Sequence, residues 1–196
     1  MTERLGIFGG TFDPIHVGHI VAATTVRHAF ELDRLLLVVA GDQWQKRGKI
    51  VADSADRLAM VRAAVAGIDG IEASSIEIDR GRPSYTDETL EALSAPGREL
   101  FLVLGADAAR NTGTWVAVER CQAMATLVVV SRAGDPGQPA DPAAWRWSNV
   151  EIPWLDISSS DLRQRLADGR PVDGLVPPAA LALIRERGLY GVTAAG

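Results

Sequence analysis

Leu5-Gly6-Ile7-Phe8-Gly9-Gly10-Thr11-Phe12-Asp13-Pro14-Ile15-His16-Val17-Gly18-His19 decides how the rest of the chain is read. Its first four residues are a short apolar run of strand type. The run meets paired glycines, where the backbone can turn sharply and approach a ligand with no Cβ in the way. A helix then opens beside two histidines three positions apart, so that both imidazoles lie on one side within roughly one turn. The start of a helix offers unpaired N–H groups and the positive end of its dipole, which is where phosphates bind. Strand, glycine turn, helix start and paired imidazoles describe a site for a polyphosphate whose charge shifts during reaction.

Outward from this stretch the chain alternates strand-type runs with helical patterns. Leu5 to Phe8 reads as a first strand and His16 to Phe30 as a helix. Leu35 to Val39 is continuously apolar, as expected of a strand covered on both faces. Ser54 reads as the N-cap of a helix over Ala55 to Ala66, with Leu58, Val61 and Val65 at helical spacing. Ile71 to Ile78 alternates in part and reads as a more exposed strand, and Thr86 to Leu93 as a short helix. Leu100 to Leu104 and Leu127 to Val130 are two further buried-strand runs, separated by helical segments containing Trp115 and Val118. Gly134 to Trp147 reads as a surface loop, and Ile152-Pro153-Trp154 ends a last strand. Two helices follow, Ser158 to Ala167 and Pro178 to Arg187, the second with prolines suited to its first turn; Thr193 to Gly196 should fray. Alternating βα units imply a doubly wound α/β fold, a parallel sheet with helices on both sides. A ligand then lies at the carboxyl ends of the strands, where the opening motif sits.

The chain has 196 residues, a formal net charge of −5 and one cysteine, Cys121. That length suits one domain with a substantial core. The acidic balance argues against a general nucleic-acid binder, which would show a basic face, though not against an enzyme that needs only a local positive site. A single cysteine excludes an intrachain disulfide and a structural zinc site of several thiolates. The N-terminus carries no basic region followed by an apolar signal core, and no apolar run reaches the length of a membrane span. These features predict a cytoplasmic protein with no membrane partner.

Each chemical candidate also has a plainer reading. His16 and His19 suit phosphate handling, but a helix cap or a packed ring would use them too. Zinc would need another ligand from His28, Cys121 or the carboxylates, without an H-E-x-x-H pattern. Asp13-Pro14 reads as shaping the turn, since Asp accepts local backbone bonds and Pro fixes φ. Ser158 and Asp161 have the spacing of an N-cap and its acidic capping-box partner, and a capped start with Arg163 one turn on is also an anion site. Arg163 offers a planar fork for phosphate oxygens, or for stacking on adenine. Asp107, following a buried strand, can accept from ribose hydroxyls or cap a helix. Tyr85-Thr86 can be a helix start capped by Thr86, and Trp115 a core aromatic.

The segment Gly9 to His19 resembles the G-G-x-F-D-P-x-H-x-G-H signature of the nucleotidyltransferase superfamily, the α/β phosphodiesterases that transfer AMP or CMP. Agreement at both histidines and every glycine is far more specific than a lone G-x-G-x-x-G. Three further segments narrow the resemblance to the nicotinate-nucleotide adenylyltransferase family. They are Ser84-Tyr85-Thr86-Asp87-Glu88-Thr89-Leu90, Gly105-Ala106-Asp107 with Trp115 downstream, and Ile157-Ser158-Ser159-Ser160-Asp161-Leu162-Arg163. The last is similar to I-S-S-T-x-[IL]-R, with Ser160 in place of the usual Thr and the hydroxyl kept.

The resemblance implies one Rossmann-like nucleotidyltransferase domain over 1–196, with a core at 1–155 and a small helical C-terminal subdomain at 156–196. It implies an enzyme of NAD biosynthesis that joins ATP and nicotinate mononucleotide, with Mg²⁺ held mainly by substrate phosphates rather than by a protein site. Other acceptors such as nicotinamide mononucleotide or phosphopantetheine, and a non-catalytic nucleotide-binding regulator, remain open, as does a homo-oligomer. His16, His19 and Arg163 take the catalytic positions. ATP falls to Gly9, Gly10, Thr11, Phe12 and Gly18 beside those histidines, to Gly105 and Asp107, and to Ile157, Ser158 and Ser159 with Arg163. The acceptor falls to Thr11, Lys46, Tyr85, Thr86 and Trp115, the aromatic ring against the pyridine. Gln43 to Lys49 departs most from the family pattern. There Lys46 best matches a family lysine, with Lys49 as its rival, and Arg57 matches a family arginine; solvated surface charge is the plainer reading of these cations. Trp44 raises the expectation that Gly41 to Lys49 gates the site.

Overall fold

The computed structural model describes residues 2–41, 52–132, 134–135 and 137–193. Six strands form one sheet in the order β3-β2-β1-β4-β5-β6, and every neighbouring pair is parallel. They are β1 (Glu3–Gly10), β2 (Arg34–Val39), β3 (Ile71–Ser74), β4 (Arg98–Gly105), β5 (Ala125–Arg132) and β6 (Trp147–Ile152). The helices are α1 (Val17–Ala29), α2 (Ser54–Val65), α3 (Thr86–Leu93), α4 (Ala106–Arg110), α5 (Val118–Met124), α6 (Ser159–Ala167) and α7 (Pro178–Glu186). The strand order reverses between β1 and β4, the crevice where doubly wound sheets bind nucleotides.

The continuous apolar runs are explained by two-sided burial. In β2, Leu35, Leu37 and Val39 enter one cluster and Leu36 and Val38 the other; β4 divides Phe101 and Val103 from Leu100, Leu102 and Leu104 in the same way. Helices α1, α2, α6 and α7 cover the first face through Val26, Met60, Leu162 and Ile184, while α3 and α5 cover the second through Leu90 and Cys121. The expected doubly wound, Rossmann-like architecture with helices at the C-terminal end is the one observed.

Three local expectations are corrected. The expected strand Ile71 to Ile78 stops at Ser74. Beyond it, Asp79 N–H donates to the Ser75 carbonyl (2.9 Å) and the Ser75 hydroxyl to the Asp79 carboxylate (2.8 Å), closing a turn instead of extending the ladder. Asp53, not Ser54, caps α2, its carboxylate accepting from Asp56 N–H at 2.8 Å. Trp115 lies outside a helix, in extended conformation between a 3-10 turn at Thr112–Thr114 and α5.

Candidate active site

Phe8 is in register with Val103, so the ends of β1 and β4, Gly10 and Gly105, come side by side two residues further on. At this edge a Cβ on Gly10 would lie 2.8 Å from the Phe12 ring, which folds back over the turn. Among the described residues a Cβ on Gly9 or on Gly105 would meet nothing within 4 Å. Phe12 itself is buried at φ +50° and sets its ring edge-on to His19, with centroids 5.0 Å apart.

His16 occupies the N-cap position of α1 with extended backbone. The two imidazoles stack with centroids 3.7 Å apart and planes 27° from parallel. His16 N–H donates to Nδ1 of His19 at 3.2 Å, whereas Nδ1 of His16 is buried with no hydrogen-bond partner. A Cβ on Gly18 would lie 3.1 Å from that same His16 nitrogen, so Gly18 makes room for the ring. Burial pushes the His16 pKa down to about 4, with the charge of Arg132 adding to the effect. Burial, then the neighbouring His16, holds His19 well below the ordinary histidine range. Both rings are therefore neutral near pH 7, and a ring whose Nδ1 accepts carries its proton on Nε2. Among the described residues no group of three His, Cys, Asp or Glu side chains could hold a metal ion. The zinc reading of these histidines therefore gains no further ligand there.

Helix α6 meets the same turn from the C-terminal side. Arg163 Nη1 donates to the Asp13 carbonyl at 2.7 Å and Nη2 to the Ser160 hydroxyl at 3.2 Å, while the Ser159 hydroxyl donates to the Pro14 carbonyl at 3.0 Å. Ser158 caps the helix as expected, accepting from Asp161 N–H at 3.1 Å. The reciprocal half of the capping box is not seen: the Asp161 carboxylate pairs with Arg165 at 2.6 Å. Asp13 is buried, as a turn-shaping residue should be. Its Oδ1 accepts from the Tyr190 hydroxyl (2.7 Å) and from Ala52 N–H (3.1 Å).

Arg57 is no surface cation. It is 1% exposed, and its guanidinium donates to the carbonyls of Thr11 (2.8 Å) and Ala52 (3.3 Å), fixing the glycine turn from α2. Lys46, its rival Lys49 and the proposed gate at Trp44 lie outside the described residues.

At the mouth of β4 the N-cap of α4 is Gly105, so Asp107 does not cap the helix. Its side chain is almost wholly exposed and pairs with Arg110, which also holds Asp135 through two bonds. An exposed pair of this kind is screened by water and leaves the carboxylate free to exchange partners. Tyr85 stands at the N-cap of α3 and makes no side-chain capping bond; Thr86 is the first helical residue rather than the cap. The acidic first turn is neutralised, Asp87 by Arg120 at 2.6 Å and Glu88 by Arg82 at 3.0 Å, so it does not cancel the pull of the helix start on an anion. Arg80 anchors the segment through the Thr89 hydroxyl and the Glu88 carbonyl, both at 2.8 Å. Trp115 is partly buried, packed against the cluster that contains Leu90 of α3, as its core reading expects.

Arg132, at the carboxyl end of β5, is a residue the sequence reading missed. Its charge reaches His16, and its guanidinium lies 5.5 Å from the ring centroid of Trp154, which is 63% exposed. The available signal was a lone cation closing a buried strand run, at the sheet edge where ligands bind. Cys121 is buried on α5 with its thiol pushed up to about 11, which makes it unreactive as a nucleophile.

Residues 7–165 match the model of the cytidylyltransferase-like family. A Roseiflexus protein named "Probable nicotinate-nucleotide adenylyltransferase" is 48% identical, over 95% of this chain and 97% of its own length. A protein of the same name from Corynebacterium kroppenstedtii is 41% identical, over 95% and 90%. Among solved structures, a Plasmodium falciparum nicotinic acid mononucleotide adenylyltransferase complexed with NaAD superposes with a TM-score of 0.82. That match covers 98% of this chain and 100% of the other at 17% identity, a likeness of fold. The chain belongs to the cytidylyltransferase-like family and, within it, to the nicotinate-nucleotide adenylyltransferases.

Proposed function

We propose that the protein transfers the adenylyl group of ATP to nicotinate mononucleotide, giving deamido-NAD and pyrophosphate. The observation that carries the reading is the stacked His16–His19 pair at the start of α1, preceded by the glycine turn whose Asp13 carbonyl accepts from Arg163 of α6. These groups are donors for phosphate oxygens, and they come from one chain whose relatives bear the corresponding name.

In the reaction a phosphate oxygen of the mononucleotide attacks the α-phosphorus of ATP in line. The new P–O bond forms as the bond from that phosphorus to the bridging oxygen breaks, and pyrophosphate leaves with the electron pair. No protein nucleophile is required; catalysis is positioning and charge stabilisation. His19 presents Nε2–H to the charge that develops, and the His16 ring stacked on it holds that imidazole in place at the start of α1. Arg163 keeps its fork beside the α6 helix start, and Arg132 adds a second cation near His16. Asp107 receives ribose hydroxyls, exchanging them for Arg110. The pyridine ring lies on Trp115, and its carboxylate takes the helix-start N–H groups at Tyr85-Thr86. Lys46 is assigned to the acceptor phosphate.

The converging donors, two neutral imidazoles, guanidinium groups and hydroxyls, suit phosphate oxygens. Mg²⁺ would be held by the phosphates of ATP, where it neutralises charge on the leaving pyrophosphate. Product identification tests the proposal. ATP with nicotinate mononucleotide should yield deamido-NAD and pyrophosphate in equal amounts, with far slower turnover on nicotinamide mononucleotide and none on phosphopantetheine. Pyrophosphate release without deamido-NAD would overturn it.

A further inference from the structure

We propose that Tyr190 is a positioning residue for the phosphate site, acting through Asp13; the inference rests on the function proposed above. Tyr190 belongs to the 3-10 turn Leu189–Gly191 that follows α7, 177 positions after Asp13 in sequence. Its hydroxyl donates to Asp13 Oδ1 at 2.7 Å, between side chains that are 7% and 2% exposed. The same oxygen accepts from Ala52 N–H, which leads into α2, and the other carboxylate oxygen faces Arg163 Nη1 at 3.8 Å. Tyr190 thus donates to the carboxylate that joins the glycine turn, the entrance to α2 and the arginine of α6.

Two further bonds tie the C-terminal part to the same turn: the Ser159 hydroxyl to the Pro14 carbonyl at 3.0 Å, and Val17 N–H to the Leu175 carbonyl at 2.9 Å. The second of these holds the first residue of α1, between the two histidines. Tyr190 makes its contact from φ +59°, ψ +30°, a left-handed conformation that a bulky residue adopts only when tertiary contacts over-determine it. A buried carboxylate needs its donors, and losing one is answered by movement of the groups that remain. Around Asp13 those groups include the turn that precedes His16, the Ala52 N–H at the entrance to α2 and the guanidinium of Arg163. The C-terminal turn therefore sets the spacing between the two sides of the phosphate site. Misplacement that originates away from the chemistry acts on kcat, because it spoils alignment in the transition state more than ground-state binding.

The test compares Tyr190→Phe, which keeps the ring and removes the hydroxyl, with Ile184→Val, which trims the buried core side of α7 without touching Asp13. Steady-state kinetics and amide hydrogen exchange at Val17 and His19 of the free protein are measured for both. Tyr190→Phe should lower kcat by about 10-fold or more with each KM within about threefold, and speed exchange at those two amides by at least about 10-fold. Ile184→Val should keep wild-type values of both. Wild-type kcat and exchange in Tyr190→Phe, or equal losses in Ile184→Val, would overturn the inference. Absence of turnover in the wild type would count against the proposed function alone, since the exchange measurement still decides the role of Tyr190.

Discussion

His16 gives its backbone N–H to Nδ1 of His19 at 3.2 Å while the two rings stack at 3.7 Å, so one histidine fixes the tautomer of the other. The bond requires Nδ1 of His19 to be an acceptor, which leaves Nε2–H as its donor. Such a donor costs no reorganisation when negative charge develops on a phosphate oxygen in front of it.

His19→Ala should therefore lower kcat by roughly 10²-fold or more while changing the acceptor KM little, because the lost interaction strengthens only in the transition state. Steady-state kinetics on the folded variant measures this. A kcat near wild type would remove His19 from the chemistry.

Arg163→Lys should fail despite keeping the charge. The guanidinium reaches the Asp13 carbonyl and the Ser160 hydroxyl through two different nitrogens, and an ammonium cannot span that geometry while facing a phosphate. Apparent ATP affinity and kcat should both fall, by about 10-fold or more. A lysine variant equal to wild type in both would make Arg163 a surface cation.

The histidine pair should also appear in the pH dependence of stability. Burial holds the folded pKa of His16 near 4, below its unfolded value, so the unfolded chain binds more protons between those limits. Stability from keeping His16 neutral is then complete above about pH 6.5 and is lost as pH falls toward 4, with a slope of at most about 1.4 kcal/mol per pH unit. Denaturant unfolding of wild type and His16→Asn across this window checks it: the variant should show the shallower slope. Identical slopes would mean that His16 is not held neutral by the fold.

The sequence made the sheet legible because its central strands are buried on both faces, which turns Leu35 to Val39, Leu100 to Leu104 and Leu127 to Val130 into unbroken apolar runs. The same logic misread Ile76 and Ile78. Their alternation is real, one packing on each core cluster, but it arises in a turn closed by Ser75 and Asp79. The candidate site was legible where it is local, in the glycine turn and at the starts of α1 and α6. Long-range pairings were not. Arg57 finds the Thr11 carbonyl, an acceptor that leaves no mark in a side-chain pattern, and Tyr190 finds the Asp13 carboxylate 177 positions away, a pairing that only folding creates. Arg132 is an intermediate case, since the end of a buried strand was already the expected ligand edge.

The acceptor tests the central claim most directly. A carboxylate at the Tyr85-Thr86 helix start receives oriented N–H donors and the helix dipole, whereas an amide directs its NH₂ at those donors and leaves one buried group unpaired, costing about 1–3 kcal/mol. Loss of the charge-assisted bond adds to this. Measured with ATP in excess, kcat/KM for nicotinate mononucleotide should exceed that for nicotinamide mononucleotide by roughly tenfold to a few hundredfold. Comparable values for the two acceptors, or no turnover with the acid, would contradict the assignment of the site.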